Sequence, residues 1–353
     1  MARRHVEGRM SYRVLAKRIY ESSGRKISPT AVNQMLGEIA SQSKTALEMS
    51  AELNPHWEGY IQLDEKMVSV HGEQQWFYLA VDSSGDIVHC RDVKELTSTE
   101  AMLFIREIID VVKYPFKGVT TDLDSSLRIA VARTLPGIPH QICLKHAFSS
   151  IENSIGYRDL KQRQMWNKKI IRTEFEKLPQ KKGIWVAKAR KGFFETYETY
   201  KELSERHRAI EQLRRTLYGI VFAKTGEAAL EQLKKFKRGR PPAMVASQKH
   251  NAVGFLNRYF DKMMIYHSHR GMPRTTNLVE NVNKQIQRRV KTIEAFQSRI
   301  GARNYMNLLI AYLRQKPYTD CRGKRKPLNG LSRLEAVGVV LDSKDWLKNA
   351  ILK

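Results

Sequence analysis

GVTTDLDSSLRIA, residues 118–130, decides how this chain folds. GVTTD is a short strand-like run, and SSLRIAVARTL after it places Leu127, Ala130, Val131, Thr134 and Leu135 on one helical face. A strand that passes straight into a helix opens an α/β crossover, so the stretch joins a sheet to a helix that covers it. Its two acids then separate by position. The strand is expected to end at Asp122, where open α/β sheets present ligand-binding groups. Asp124 stands immediately before the helix, at the N-cap, where a carboxylate accepts orphan backbone N–H groups. Asp122 is the expected chemical residue and Asp124 the expected structural one.

Working outward, YIQLDEKMVSV (60–70), QQWFYLAVD (74–82) and DIVHCRDV (86–93) read as three strands separated by His71–Gly72 and Ser83–Ser84–Gly85 turns. TSTEAMLFIREIIDVVK (97–113) follows with capping-box spacing of Thr97 and Glu100 and a stripe of Met102, Ile105, Ile108, Ile109 and Val112. PHQIC (139–143) is a last short strand. The order β-β-β-α-β-α-β predicts a mixed five-stranded sheet with flanking helices over residues 58–146. Residues 147–270 read as a large, basic, all-α insertion. Residues 271–314 return to the α/β domain, and 315–353 form a basic C-terminal stretch that ends in a weak helix.

The first strand carries Asp64. Ile61 and Leu63 point to one face and Asp64 to the other. A carboxylate inside a central strand is costly unless a cation or proton neutralises it, although an edge strand would leave it solvated. Glu65 points to the opposite face. A third candidate is Glu280 in TTNLVEN (275–281). Asn277 and Glu280 come close to a capping box, and Glu280 precedes Lys284 by four, as in a plain surface pair. The same helix also divides cleanly, with Val279, Val282, Ile286, Val290 and Ile293 apolar, and Glu280, Asn283, Lys284, Gln287 and Lys291 polar. Three carboxylates from two strands and a helix can hold two divalent cations, Mg²⁺ or Mn²⁺.

Charge names the substrate class. Among 353 residues, 62 Lys+Arg against 36 Asp+Glu leave +26, more than solubility requires, and a polyanion such as nucleic acid is the simplest partner. Three dispersed cysteines make neither a disulfide framework nor a CxxC pair. MARRHVEGRM has no signal-peptide core, and MNLLIAYL is too short to span a bilayer. A cytoplasmic protein is expected, with no membrane partner.

Residues 1–45 read as a helix–turn–helix DNA-binding domain. SYRVLAKRIYE (11–21) places Val14, Leu15, Ile19 and Tyr20 on one face. SPTAVNQMLGEI (28–39) restarts the helix with Ser28 as N-cap and Pro29 at the first position. Ala31, Val32, Met35, Leu36 and Ile39 would face inward, leaving Thr30, Asn33 and Gln34 to contact DNA. A plain helical hairpin is the alternative. Arg238 and Arg240 in KFKRGRPP (235–242) could lie in a minor groove or an exposed loop. Arg270 and Arg274 in HSHRGMPRTTN (267–277), together with Lys284, are candidates for phosphate contacts.

The stretches LDEKMVSVHGEQQWFYLAVDSSG (63–85), GVTTDLDSSLRIAVARTLPGIPHQICLKH (118–146) and TTNLVENVNK (275–284) resemble the DDE transposases of prokaryotic insertion sequences, with a relation to the Mutator-like superfamily. The resemblance implies an RNase H-like fold, with Asp64, Asp122 and Glu280 as the D, D and E that bind two metal ions. It also implies a helical insertion before the last acid, which the separation of Asp122 and Glu280 requires, and a Cys-x-x-His signature, supplied by Cys143 and His146. Those two and Asn277 are expected beside the site. The implied activity is cleavage and transfer of DNA strands at terminal inverted repeats into target DNA, by a dimer or higher synaptic assembly on the nucleoid. A domesticated non-catalytic DNA-binding regulator and an RNase H-like structure-specific nuclease are the alternatives.

Overall fold

The computed structural model describes residues 1–177, 184–293 and 296–351. Residues 178–183 of the expected insertion, and 294–295 at the end of VKTIEAF, lie outside the described residues. The chain divides into two compact units, Met1–Gln141 with Arg270–Lys353, and Ile142–His269.

The first unit opens with four helices, α1 (Ala2–Val6), α2 (Tyr12–Ser23), α3 (Pro29–Ser41) and α4 (Ala46–Leu53). Gly24, in the left-handed conformation, stops α2, and the Ser28 hydroxyl caps α3 by accepting from Ala31 N at 3.0 Å. On α2 the inward stripe is Tyr12, Leu15, Ala16 and Ile19, while Val14 and Tyr20 are exposed. The expected face was wrong in two residues because 12, 15, 16 and 19 follow the 3.6-residue period and 14 and 20 do not. α3 buries Val32 and Leu36 as expected, and Thr30 and Gln34 are exposed. Thr30 and Asn33 also line a groove with Ser298 and Tyr305.

The sheet follows: β1 (Tyr60–Val70), β2 (Glu73–Asp82), β3 (Ile87–Val93), then α5 (Ser98–Glu107), β4 (Gly118–Thr121), α6 (Ser125–Thr134) and β5 (His140–Ile142). The spatial order is β3-β2-β1-β4-β5, with β1–β2 and β2–β3 antiparallel and β1–β4 parallel. The mixed five-stranded sheet is as expected. His71 and Gly72 both take positive φ in the β1–β2 hairpin, the two-residue turn that matches strand twist. β4 pairs with β1 only at Tyr60, Ile61 and Gln62, so β1 runs on beyond it.

The second unit is helical: α7 (Leu144–Ser154), α8 (Tyr157–Lys177), α9 (Ile184–Val221), α10 (Gly226–Arg238) and α11 (Ala246–Met264). Glu152 of α7 pairs with Arg214 of α9, whose guanidinium also lies over the Tyr157 ring.

Back in the first unit, α12 (Asn277–Val290) and α13 (Arg299–Gln315) cover one face of the sheet, packing Val279, Val282, Met306 and Leu309 on Val68, Phe77 and Leu79. α5 and α6 cover the other, on Ile61, Leu63 and Tyr78. The stretch after α13, expected as a basic tail, is instead core: Leu334, Val337 and Trp346, the last in the short helix α14 (Trp346–Ala350), are buried in the α12–α13 layer. Its apolar residues are spaced too irregularly for periodicity to reveal them. No helix among the described residues is long and apolar enough to cross a membrane.

Candidate active site

The site lies where β1 outruns β4. Asp64 projects from β1 towards α12, and Asn283 Nδ2 donates to Asp64 Oδ2 at 2.7 Å. Asp122 follows the last residue of β4, which ends at Thr121, one position earlier than expected. Its Oδ1 accepts the Asp124 N–H at 2.8 Å, a tight turn that fixes the carboxylate at the strand end. Asp124 caps α6 as its position predicts, Oδ1 accepting from Ser126 N at 2.8 Å and Leu127 N at 3.1 Å.

Asp64, Glu65 and Asp122 each bring a carboxylate oxygen within 4.8 Å of the others. Glu65 is a correction. Alternation puts its Cβ on the face opposite Asp64, yet its carboxylate reaches Asp122, because β4 no longer occupies the space beside β1 there. Burial first, then the charges of Asp122, Asp64 and Asp124, push its carboxyl up to about 8. Its Oε2 is buried with no hydrogen-bond partner. Sequence reasoning passed over this residue, and the adjacent DE pair was the signal that could have found it.

Glu280 is not one of these three. It occupies the first turn of α12, half-buried, and accepts a hydrogen bond from Thr276 Oγ1 at 3.0 Å. The anticipated Asn277 cap is absent: the helix starts at Asn277, after Thr276, whose side chain caps no backbone N–H. The caps come from β1, where buried Gln62 Oε1 accepts Leu278 N at 3.0 Å and Val279 N at 3.2 Å. Two residues along, Asp64 meets Asn283, and two further, Lys66 Nζ donates to Gln287. Asn283 is therefore half-buried against the strand, while Gln287 stays on the exposed polar face expected for it and reaches Lys66 from there.

Of the other candidates, Cys143 is the buried residue before α7 and His146 sits half-buried in that helix's first turn, both in the second unit. Arg238 and Arg240 of that unit are exposed around the end of α10. Arg270, Arg274, Asn277 and Lys284 are exposed in the first unit. Cys90, Cys143 and Cys321 form no disulfide among the described residues.

Residues 59–180 match the family model of the DDE domain of the IS240 transposases. The chain carries a transposase DDE domain. It is a DDE transposase, an enzyme of the polynucleotidyl transferase class. The matched stretch contains Asp64, Glu65, Asp122 and the whole sheet, and its mixed five-stranded topology is that of an RNase H-like DDE domain. It stops before α12. A search of curated proteins returns no match. DDE transposase domains act with divalent metals, generally Mg²⁺, and transposases act on DNA.

Proposed function

We propose that the chain binds the ends of an insertion sequence and catalyses metal-dependent strand cleavage and strand transfer through Asp64, Asp122 and Glu280. One observation carries this reading: Asp64 and Asp122, far apart in sequence, converge at an open strand end inside the matched DDE domain. The residues fit divalent cations. The donors are all hard carboxylate oxygens, and a buried Glu65 oxygen lacks any partner. Asp64, Asp122 and Glu280 would hold two ions, with Glu65 as a further oxygen donor. When bound, such ions activate the attacking water or 3′-hydroxyl and stabilise the leaving oxygen.

The chain's own residues supply the positioning. Asn283 orients the Asp64 carboxylate, the Asp124 N–H orients Asp122, and Gln62 fixes the start of the helix that bears Glu280. Cys143, His146 and Asn277 are proposed as residues that support the site. Thr30, Asn33 and Gln34 are proposed to read the terminal repeats, and Arg238, Arg240, Arg270, Arg274 and Lys284 to hold phosphates. Joining two ends calls for a dimer or larger assembly, and nucleoid DNA in the cytoplasm is its place of action.

The test is incubation of the purified chain with labelled transposon-end DNA and Mg²⁺. Asp64→Asn, Asp122→Asn and Glu280→Gln are expected to bind the DNA and lose cleavage and strand transfer. Products from Asp122→Asn at the wild-type rate would overturn the assignment. Cleavage without strand transfer by the wild type would point to a nuclease instead.

A further inference from the structure

A groove of about 500 Å³ runs along α12 on the side away from β1. One wall is Asn281, Lys284, Gln285 and Arg288, a single stripe of the helix at i, i+3, i+4 and i+7. The other is the chain that follows α13, including Lys316 and Arg322, and Arg9 also lines it. Eight of its sixteen lining residues are Arg or Lys, and one, Asp320, is acidic.

Several basic residues elsewhere in the protein pair with carboxylates. Arg91 pairs with Glu100 and Glu107, Arg214 with Glu152, and Arg314 with Asp86. None of the eight groove cations makes an ion pair among the described residues. Three of them are pegs that shape the walls: Arg289 donates to the Val6 and Glu7 carbonyls, Arg325 to Ser84 and Arg333 to Gly85. Arg288, Lys316 and Arg322 are exposed. Crowding registers on Lys316, whose ammonium is pushed below its usual range by burial and then by Arg289, Arg9 and Arg333. A concave surface on which eight cations face a single carboxylate concentrates an extended polyanion. Lys284 stands one helical turn, about 6 Å, beyond Glu280, so a strand in this groove runs to the acid-bearing end of the helix.

We propose that this groove binds the phosphodiester backbone of the duplex on which the active site acts. The inference rests on the transposase reading and deepens it, assigning to the C-terminal stretch a phosphate-binding role that its basic composition alone does not locate.

The test needs no catalysis. Arg288→Ala, Lys316→Ala and Arg322→Ala are combined, and binding of a fluorescein-labelled random-sequence duplex is followed by anisotropy in EDTA across a salt series. A second triple variant, Lys94→Ala, Arg106→Ala and Lys117→Ala, removes three exposed cations outside the groove. The groove variant is expected to bind about tenfold or more weakly, with the slope of log K against log salt shallower by about 2.7, or about 0.9 for each lost phosphate contact. The second variant is expected to stay near wild type. Equal losses in both triples, or an unchanged slope in the groove variant while the wild type binds, would overturn the groove alone. A wild-type chain that leaves the duplex unbound would bring down the transposase reading with it. Matching melting temperatures of the three proteins exclude misfolding as the cause.

Discussion

Asp64 and Glu65 leave β1 on opposite faces, yet both carboxylates end beside Asp122, and the charge balance there sets two predictions. Glu65 is pushed up to about 8 by burial and by Asp122, Asp64 and Asp124, against 4.5 for an ordinary glutamate. Between those values the folded chain keeps a proton that the unfolded chain has lost, so folding becomes less favourable as pH rises through that window. A cation reverses the balance, because it takes the deprotonated carboxylate. The metal-free protein should therefore melt lower at about pH 8 than at about pH 6, and Mg²⁺ should raise the melting temperature more at the higher pH. Glu65→Gln should flatten both dependences, and parallel melting curves for wild type and variant across pH would rule the account out. Asp124 behaves differently, because its carboxylate is spent on two helix N–H groups. Asp124→Ala should cost about 1 kcal/mol in urea unfolding and keep strand cleavage. Loss of cleavage in a fully folded Asp124→Ala protein would show that its carboxylate also serves the chemistry.

The strand–helix pair that sets Glu280 works by matched spacing. Gln62, Asp64 and Lys66 lie on one face of β1, two residues or about 6.6 Å apart, and their partners near 279, 283 and 287 lie one helical turn or about 6 Å apart. Three successive side-chain bonds can therefore form without either element bending. Gln62→Leu orphans the half-buried Leu278 N–H and the buried Val279 N–H, and should cost about 1–3 kcal/mol and lower the cleavage rate with little change in DNA affinity. A variant with wild-type kcat would show that Gln62 does not position α12. Little of this was legible beforehand, although the elements themselves were. The element order along the chain, Ser28 and Asp124 as caps, and Asp64 facing away from Leu63 follow from period-two and period-3.6 patterns within one segment. Gln62 capping α12 does not, because donor and acceptor are more than two hundred residues apart, and the Asn277-x-x-Glu280 spacing imitates a local cap that never forms. Glu65 escaped for a related reason: alternation fixes where Cβ points, while the long side chain and the missing β4 neighbour fix where the carboxylate ends.

Across the whole first unit, the largest fully buried side chain is Arg314, at the end of α13. Its guanidinium makes a two-pronged pair with Asp86, Nε to Oδ1 at 3.0 Å and NH2 to Oδ2 at 2.7 Å, and its NH1 donates to the Ala46 carbonyl and the Ser50 hydroxyl. Trp57 Nε1 also donates to Asp86, at 3.1 Å. One ion pair thus ties the β2–β3 turn, α4 and α13 together, and the chain after α13 closes over it, with Leu334 N bonded to the Arg314 carbonyl at 3.1 Å. Both ions are fully buried, so the pair's net worth against an apolar replacement is small, while breaking it from one side leaves an uncompensated charge. Arg314→Met should accordingly destabilise the first unit by about 3–5 kcal/mol. Arg314→Met combined with Asp86→Asn, which keeps an acceptor for Trp57, should recover a good part of that loss. The measurement is a double-mutant cycle in urea on the full chain, read from tryptophan fluorescence. Strictly additive costs would mean that the two side chains act independently, and that the closure of this core around α13 rests on its apolar contacts alone.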